Sequence, residues 1–253
     1  MVRRSEYSGP DKEKHRPLDK EPTKKLIQTA IDHPDPLDTV CVRVPLSTGL
    51  RNDELVHLRP NHIGRDYNED YDRVAWYVRI PGFAECIGGN SDAKQGNAKG
   101  SNLHTKGDPC SKCCDRSVDE KDWLTEEQKN RPGFSPKTSG SRERYQWFLP
   151  GRADLASTLE NIIEAHDQFP ILHGAVNRRI QKLADKAGID RRVTAHCLRH
   201  TYGCKLGASE KFNLNRIMTY MRHSDPDMAH WYSEQWGERR RAALADYEDE
   251  FSS

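Results

Sequence analysis

The chain has 253 residues, of which 34% are hydrophobic and 31% charged, with a mean hydropathy of −0.94. That length fits one large domain or two small ones, and a formal net charge of +1 points to no partner by itself. No apolar run approaches the roughly 18 residues of a membrane helix, and the half-charged start MVRRSEYSGPDKEKHRPLDK lacks the apolar core of a signal peptide. The expected setting is therefore intracellular, with the seven cysteines as thiols or metal ligands rather than a disulfide framework.

Residues 1–20 read as an extended or disordered arm, since nothing in them is expected to bury apolar area. From Pro22 the pattern turns helical, with Leu26, Ile27, Ala30 and Ile31 on one face. The apolar stretch LDTVCVRVPLSTGL follows, and Pro45 is expected to kink or end it. RNDELVHL restarts a short helix. YDRVAWYVRI (71–80) alternates with β-branched and aromatic residues and predicts a strand, with RYQWFLP (144–150) as its antiparallel partner. After Pro150 the pattern is helical throughout. ADLASTLENIIEAH is amphipathic. AVNRRIQKLADKAGI places Val176, Ile180, Leu183, Ala184 and Ala187 on one stripe, stopped by Gly188. TAHCLRHTYGCKLG and NLNRIMTYM follow as helices. The fold class is a mainly helical α+β domain over 21–253 with a small antiparallel sheet.

An insertion, 84–136, interrupts the strand pair. From Gly88 to Asp122 only Ala93, Ala98, Leu103 and Val118 are apolar apart from cysteines, too little for a core. Cys86, His104, Cys110 and Cys113 give C-x17-H-x5-C-x2-C, with Cys114 to spare. Three thiolates and an imidazole suit a tetrahedral structural zinc, which would supply the fold that the loop cannot. A floppy loop with incidental cysteines is the alternative. Cys41, Cys197 and Cys204 read as core residues.

Charge is uneven. Between Ile171 and Leu206 eight Lys/Arg face two acids. A basic helix suits phosphate contacts, although an ordinary solvated face would look the same.

Three short motifs carry the chemistry. TGLRNDEL holds Arg51, HCLRHT holds His196 and Arg199, and in YMRHSDPDMAHWYSE Tyr232 lies nine residues past His223. Singly, each has a plain reading: a surface arginine, a packed histidine, a helix cap, a half-buried aromatic. His196, His200 and Cys204 recur at helical spacing and suggest a metal-dependent nuclease. The zincin pattern, however, needs Glu where Cys197 stands.

Together, in this order and spacing, the motifs resemble the tyrosine recombinases, or phage-type integrases, over roughly residues 22–240. The resemblance implies a site-specific recombinase that cleaves and rejoins DNA through a 3′-phosphotyrosyl intermediate, serving integration or excision of a virus or mobile element. Tyr232 would be the nucleophile. Arg51 and Arg199 would clamp the phosphate, His223 would add a hydrogen bond, and His196 would act as acid, base or donor. Glu54 would orient the site from behind.

Lys137, in PKTSGSRERYQWFLP, matches the family's general acid best; Lys94, Lys99 and Lys106 are alternatives. Arg178, Arg179, Lys182 and Lys186 lie on the helix that the family sets in the major groove. No cofactor would be needed for catalysis. The implied partners are double-stranded DNA at specific sites and further copies of the chain, as a tetramer, in the DNA-associated cytoplasm. Arg51 comes too early to leave room for the family's preceding DNA-clamping domain, and Arg222 replaces the Gly usual before the second histidine. Two other readings fit the same residues: a type IB topoisomerase-like relaxing enzyme, and a non-catalytic zinc-containing DNA-binding protein.

Overall fold

A computed structural model describes residues 16–69, 72–86, 109–114, 123–136, 144–148, 151–208 and 213–222. Its centre is helix α2 (Pro36–Thr48), which packs against α1 (Lys20–Ile31), α6 (Ala153–His166), α7 (His173–Lys186) and α8 (Ala195–Gly207). The sequence explains that position. Val40, Cys41, Val42, Val44 and Leu46 are all buried, so the helix is apolar on nearly every side and needs neighbours all round.

Asp35 caps α2 by accepting from the Leu37 amide at 2.9 Å, with Pro36 at the first helical position, where a missing N–H costs nothing. Pro45 does not end the helix, which runs three residues further, to Thr48. The penalty of roughly 3 kcal/mol for an interior proline is outweighed by burial, since each fully buried aliphatic side chain contributes about 1.5–3 kcal/mol.

Gly49 closes α2 in the left-handed region (φ 65°) and lies against the ring of Tyr202. A Cβ there would stand 2.4 Å from Tyr202 Cδ1, so both conformation and space demand glycine. The chain then turns straight into the one-turn helix α3 (Asn52–Leu55).

The main sheet has three antiparallel strands in the order β1 (Ile63–Asn68), β2 (Arg73–Ile80), β5 (Arg144–Trp147). The two runs are antiparallel partners, as the sequence predicts, with Tyr77 paired to Trp147 and Ile80 to Arg144. β1, whose IGRDYN is too polar to stand out, forms a hairpin with β2. One face of β2 buries Val78 and Ile80, while Tyr77 packs edge-on against Tyr145 and Trp147 on the other.

The insertion is better built at its root than its composition suggests. β3 (Ala84–Glu85) and β4 (Gly133–Phe134) form a two-stranded ribbon, with one-turn helices α4 (Ser111–Cys114) and α5 (Glu126–Lys129) beyond it.

The expected arm also needs correcting at its end. Leu18 is buried and its amide donates to Thr201 Oγ1 at 2.8 Å, while Arg191 Nη2 donates to the carbonyls of Arg16 and Pro17. Residues 16–19 are thus docked on α8, and α1 starts at Lys20 rather than Pro22. Cys41, Cys197 and Cys204 are buried, as expected. Among the described residues no helix is long and apolar enough to cross a membrane.

Candidate active site

The site forms where three helix ends meet. Arg51 caps α3, and Glu54 on the same turn folds back to it. Glu54 Oε2 accepts from the Arg51 amide at 2.6 Å, and Oε1 from Arg51 Nη1 at 3.0 Å. Helix α9 (Leu214–Met221) ends nearby at Arg222, which takes left-handed geometry (φ 52°) that glycine would adopt without strain. Its carbonyl accepts from Arg51 Nη2 at 3.1 Å.

Arg222 does not point to solvent. Its guanidinium reaches inward to Glu54 Oε2, to Gln146 Oε1 on β5 and, at 3.2 Å, to the Gly49 carbonyl. Arg199, from the second turn of α8, donates to the same Gly49 carbonyl and to the Met221 carbonyl. Gly49, Arg51, Glu54, Gln146, Arg199 and Arg222 therefore form one network, although Arg51 and Arg222 are 171 positions apart.

Three guanidiniums here face one carboxylate. Glu54 is almost fully buried, and burial alone would raise its pKa. The cations outweigh that, Arg222 first, then Arg51 and Arg199, and lower it to about 2. Burial in turn lowers Arg222, against the pull of Glu54. Such a cluster is short of negative charge, and the Arg51 side chain, 21% exposed, reaches its open side. An anion that accepts fork-like hydrogen bonds fits that deficit.

His196 lies on the exposed side of α8, its ring perpendicular to His200 at 4.4 Å. Lys137, His223, Tyr232 and His104 lie outside the described residues, as do Lys94, Lys99 and Lys106.

On α7, Arg178, Lys182 and Lys186 are exposed and recur every fourth residue, opposite the buried Val176, Ile180, Leu183 and Ala184. Arg179 departs from its expected place among them. Its Nη1 pairs with Asp35 Oδ2 at 2.7 Å and Asp38 Oδ1 at 2.6 Å, tying α7 to the start of α2. One step around a helix from Arg178 moves the side chain by about 100°, enough to turn it from water to the neighbouring helix.

A second cluster stands beside the first. His57, Cys86, Cys110 and Cys113 bring one ligand atom each within 4.8 Å of one another, and among the described residues they are the only such group. Three of the four are the cysteines singled out by spacing. The fourth member is His57, which sequence reading missed; His104, the residue expected there, lies outside the described residues. Flanked by the buried Val56 and Leu58, His57 reads in sequence as the tail of a core helix. Burial opposes charge on its ring, but contacts with the Cys110 and Cys86 sulfurs win and raise its pKa to about 9. Three sulfurs and one imidazole so placed suit a proton or a metal ion at their centre. His196, His200 and Cys204 do not form a comparable group among the described residues.

Most of the chain can be laid on solved structures. It superposes on the XerH site-specific recombinase bound to palindromic difH substrate, in a post-cleavage complex, with TM-score 0.54 and 12% identity. The match covers 93% of this chain and 54% of that one, so the chain spans about half the length of XerH. The Tn1549 transposon integrase in complex with transposon right end DNA gives TM-score 0.54 at 14% identity, covering 93% of this chain and 67% of that one. The XerA recombinase gives 0.50 at 16%, covering 92% and 67%. The fold is that of the tyrosine recombinase catalytic domain. Residues 136–238 match the Phage integrase family. No curated protein sequence matches the chain. The matched family segment takes in α8 and α9, whereas Arg51 and the cluster of His57, Cys86, Cys110 and Cys113 precede it.

Proposed function

We propose that residues 21–253 act as the catalytic domain of a site-specific DNA recombinase of the integrase kind, with 84–136 as an insertion. The observation that carries this reading is the cluster of Arg51, Arg199 and Arg222 around the single carboxylate of Glu54. Transesterification at a phosphodiester gathers negative charge on the non-bridging oxygens, and fixed guanidiniums beside them lower that barrier.

In this reading Tyr232 Oη attacks the phosphorus. The bond to the 5′-oxygen breaks, and a 3′-phosphotyrosyl link forms with a free 5′-hydroxyl. A phenol with a pKa near ~10 must lose its proton on attack, and His196, exposed at the start of α8, is the base this reading assigns to take it. Lys137 donates a proton to the departing 5′-oxygen. His223, next in sequence to Arg222, adds a hydrogen bond to the phosphate. Rejoining runs the same steps backward with a second 5′-hydroxyl, so the energy of the broken bond stays in the phosphotyrosine. Glu54 acts from behind, holding Arg51 and Arg222 at fixed angles.

Exposed Arg178, Lys182 and Lys186 on α7 suit phosphates and base edges of double-stranded DNA. Strand exchange needs two paired duplexes and hence several protomers, a tetramer in the simplest arrangement, working where the cell keeps its DNA. Integration or excision of a virus or mobile element is the task that fits. The His57, Cys86, Cys110 and Cys113 cluster takes a structural role, with zinc as the ion its donors suit.

A nicked suicide substrate tests the reading. The wild-type chain should leave a covalent protein–DNA band on a denaturing gel, and Tyr232→Phe should leave none. Exchange between two duplexes, rather than relaxation of one supercoiled circle alone, separates recombinase from topoisomerase. An adduct formed by Tyr232→Phe at the wild-type rate would sink the assignment.

A further inference from the structure

The sulfur cluster and the arginine network are joined by a single turn of chain. His57 lies two residues beyond α3, the helix that carries Arg51 and Glu54. Its Nδ1 stands 2.6 Å from the Asp53 carbonyl, a contact that fixes the proton on Nδ1 and leaves Nε2 free to coordinate. Nε2 faces the sulfurs of Cys113 at 3.2 Å, Cys86 at 3.7 Å and Cys110 at 3.7 Å. Zinc bonds of about 2.3 Å to sulfur and about 2.0 Å to nitrogen put tetrahedral ligand atoms roughly 3.5–3.8 Å apart. Two of the three observed separations fall within that range and the third, at 3.2 Å, is about 0.3 Å shorter. All seven cysteines are free, so no disulfide accounts for the approach. The Cys110 amide also donates to Cys86 Sγ at 3.3 Å, the kind of contact that steadies a coordinated thiolate.

The cluster sits at the root of the insertion. Cys86 directly follows β3, and its amide donates to the Pro132 carbonyl at 3.1 Å, just before β4. Phe134 of β4 stacks on the His57 ring, centroids 5.1 Å apart and planes at 22°. Three residues past Phe134 comes Lys137. The same four ligands therefore bind the entry strand, the Cys110-x2-Cys113 knuckle and the turn after Arg51 into one unit.

We propose that His57, Cys86, Cys110 and Cys113 hold one zinc ion, and that this centre is a positioning device which fixes Arg51 by anchoring the insertion root to the end of α3. Three thiolates with one imidazole select zinc over the hard divalent cations. The positioning half rests on the recombinase reading above; the metal half does not.

The test uses the full chain and two independent readouts. Metal analysis should find one zinc per chain, and cobalt exchange should give a tetrahedral thiolate spectrum. His57→Ala should lose the metal, whereas His104→Ala should keep it. Single-turnover adduct formation at saturating DNA should fall about tenfold or more in His57→Ala, as loss of groups that orient a site commonly does, with DNA affinity unchanged. His57→Cys, which restores a fourth ligand, should recover both zinc and cleavage. Should His57→Ala fail to fold, chelation of the wild-type protein followed by zinc return gives the same comparison.

A wild-type chain without zinc, or zinc that survives His57→Ala and leaves with His104→Ala, overturns the metal assignment. Zinc loss that leaves the cleavage rate intact, or weakens DNA binding in equal measure, overturns positioning. A wild type that holds zinc yet forms no adduct removes the recombinase reading, and positioning with it, while the metal centre stands.

Discussion

The arginine network and the sulfur cluster make an instructive pair. Both gather several groups of one kind around a single group of another, and they lie at the two ends of one short turn, Arg51 to His57. In the first, three guanidiniums surround one buried carboxylate, leaving an excess of positive charge. In the second, three thiols crowd one imidazole, an arrangement that favours a cation at its centre. Neither grouping is economical for an apolar core, which would gain more from aliphatic side chains. On the reading proposed above, the difference in sign suits one cluster to an anion and the other to a cation. The anion site is open on the Arg51 side and suits a substrate that comes and goes. The cation site is buried on three of its four ligands and suits an ion that stays.

The contrast can be broken at its strongest point first. Tyr232→Phe should abolish the covalent DNA adduct entirely while leaving zinc content at one per chain. If the network is an anion clamp, neutralising its internal counter-charge should cost stability more than it gains binding. Glu54→Gln should destabilise the fold by on the order of 3–5 kcal/mol near neutral pH, measured by urea unfolding, because it strands Arg222 in a buried site.

The same variant carries a pH signature. Glu54 is held below its ordinary 4.5, at about 2, so its contribution is complete above pH 4.5 and lost as pH falls toward 2. Wild type should therefore lose stability through that window, and Glu54→Gln should show a flatter acid limb.

Arg199→Lys keeps the charge but not the fork. It should lower single-turnover cleavage about 100-fold, or ~3 kcal/mol, with a smaller effect on DNA binding. Last and smallest, Lys182→Ala on the outer face of α7 should weaken DNA binding by severalfold and flatten its salt dependence by about one ion, leaving cleavage at saturation unchanged. Arg179→Ala should instead lower stability, since its partners are Asp35 and Asp38 rather than solvent.

What the sequence disclosed follows the same divide. Elements with a strong period were legible. β2 and β5 alternate cleanly, and α6, α7 and α8 carry one-sided apolar patterns or strong caps, such as Thr194 accepting from the Cys197 amide at 3.3 Å. Arg51 and Arg199 were legible as members of contiguous words that the family spells alike, and the structure brings the two into one hydrogen-bond network. β1 was hidden by its polarity, since only pairing with β2 makes IGRDYN a strand.

His57 was hidden for a different reason. It precedes Cys86 by 29 positions, inside a run whose neighbours Val56 and Leu58 belong to the core, so no spacing rule reaches it. His104, six residues before the Cys-x2-Cys pair, looked the better fourth ligand on distance along the chain alone, and it lies outside the described residues. Arg222 was ambiguous in sequence, and only the helix end it closes turns it inward to Glu54.

The docking of Leu18 has a practical reach. Its amide and the carbonyls of Arg16 and Pro17 are bound to α8 and to Arg191, and Cys197 Sγ donates to the Arg16 carbonyl at 2.8 Å. Cys197 is two residues from Arg199. Anything fused ahead of Arg16 is thus leashed to α8, and tension on that leash would act two residues from the arginine that joins Gly49 and Met221.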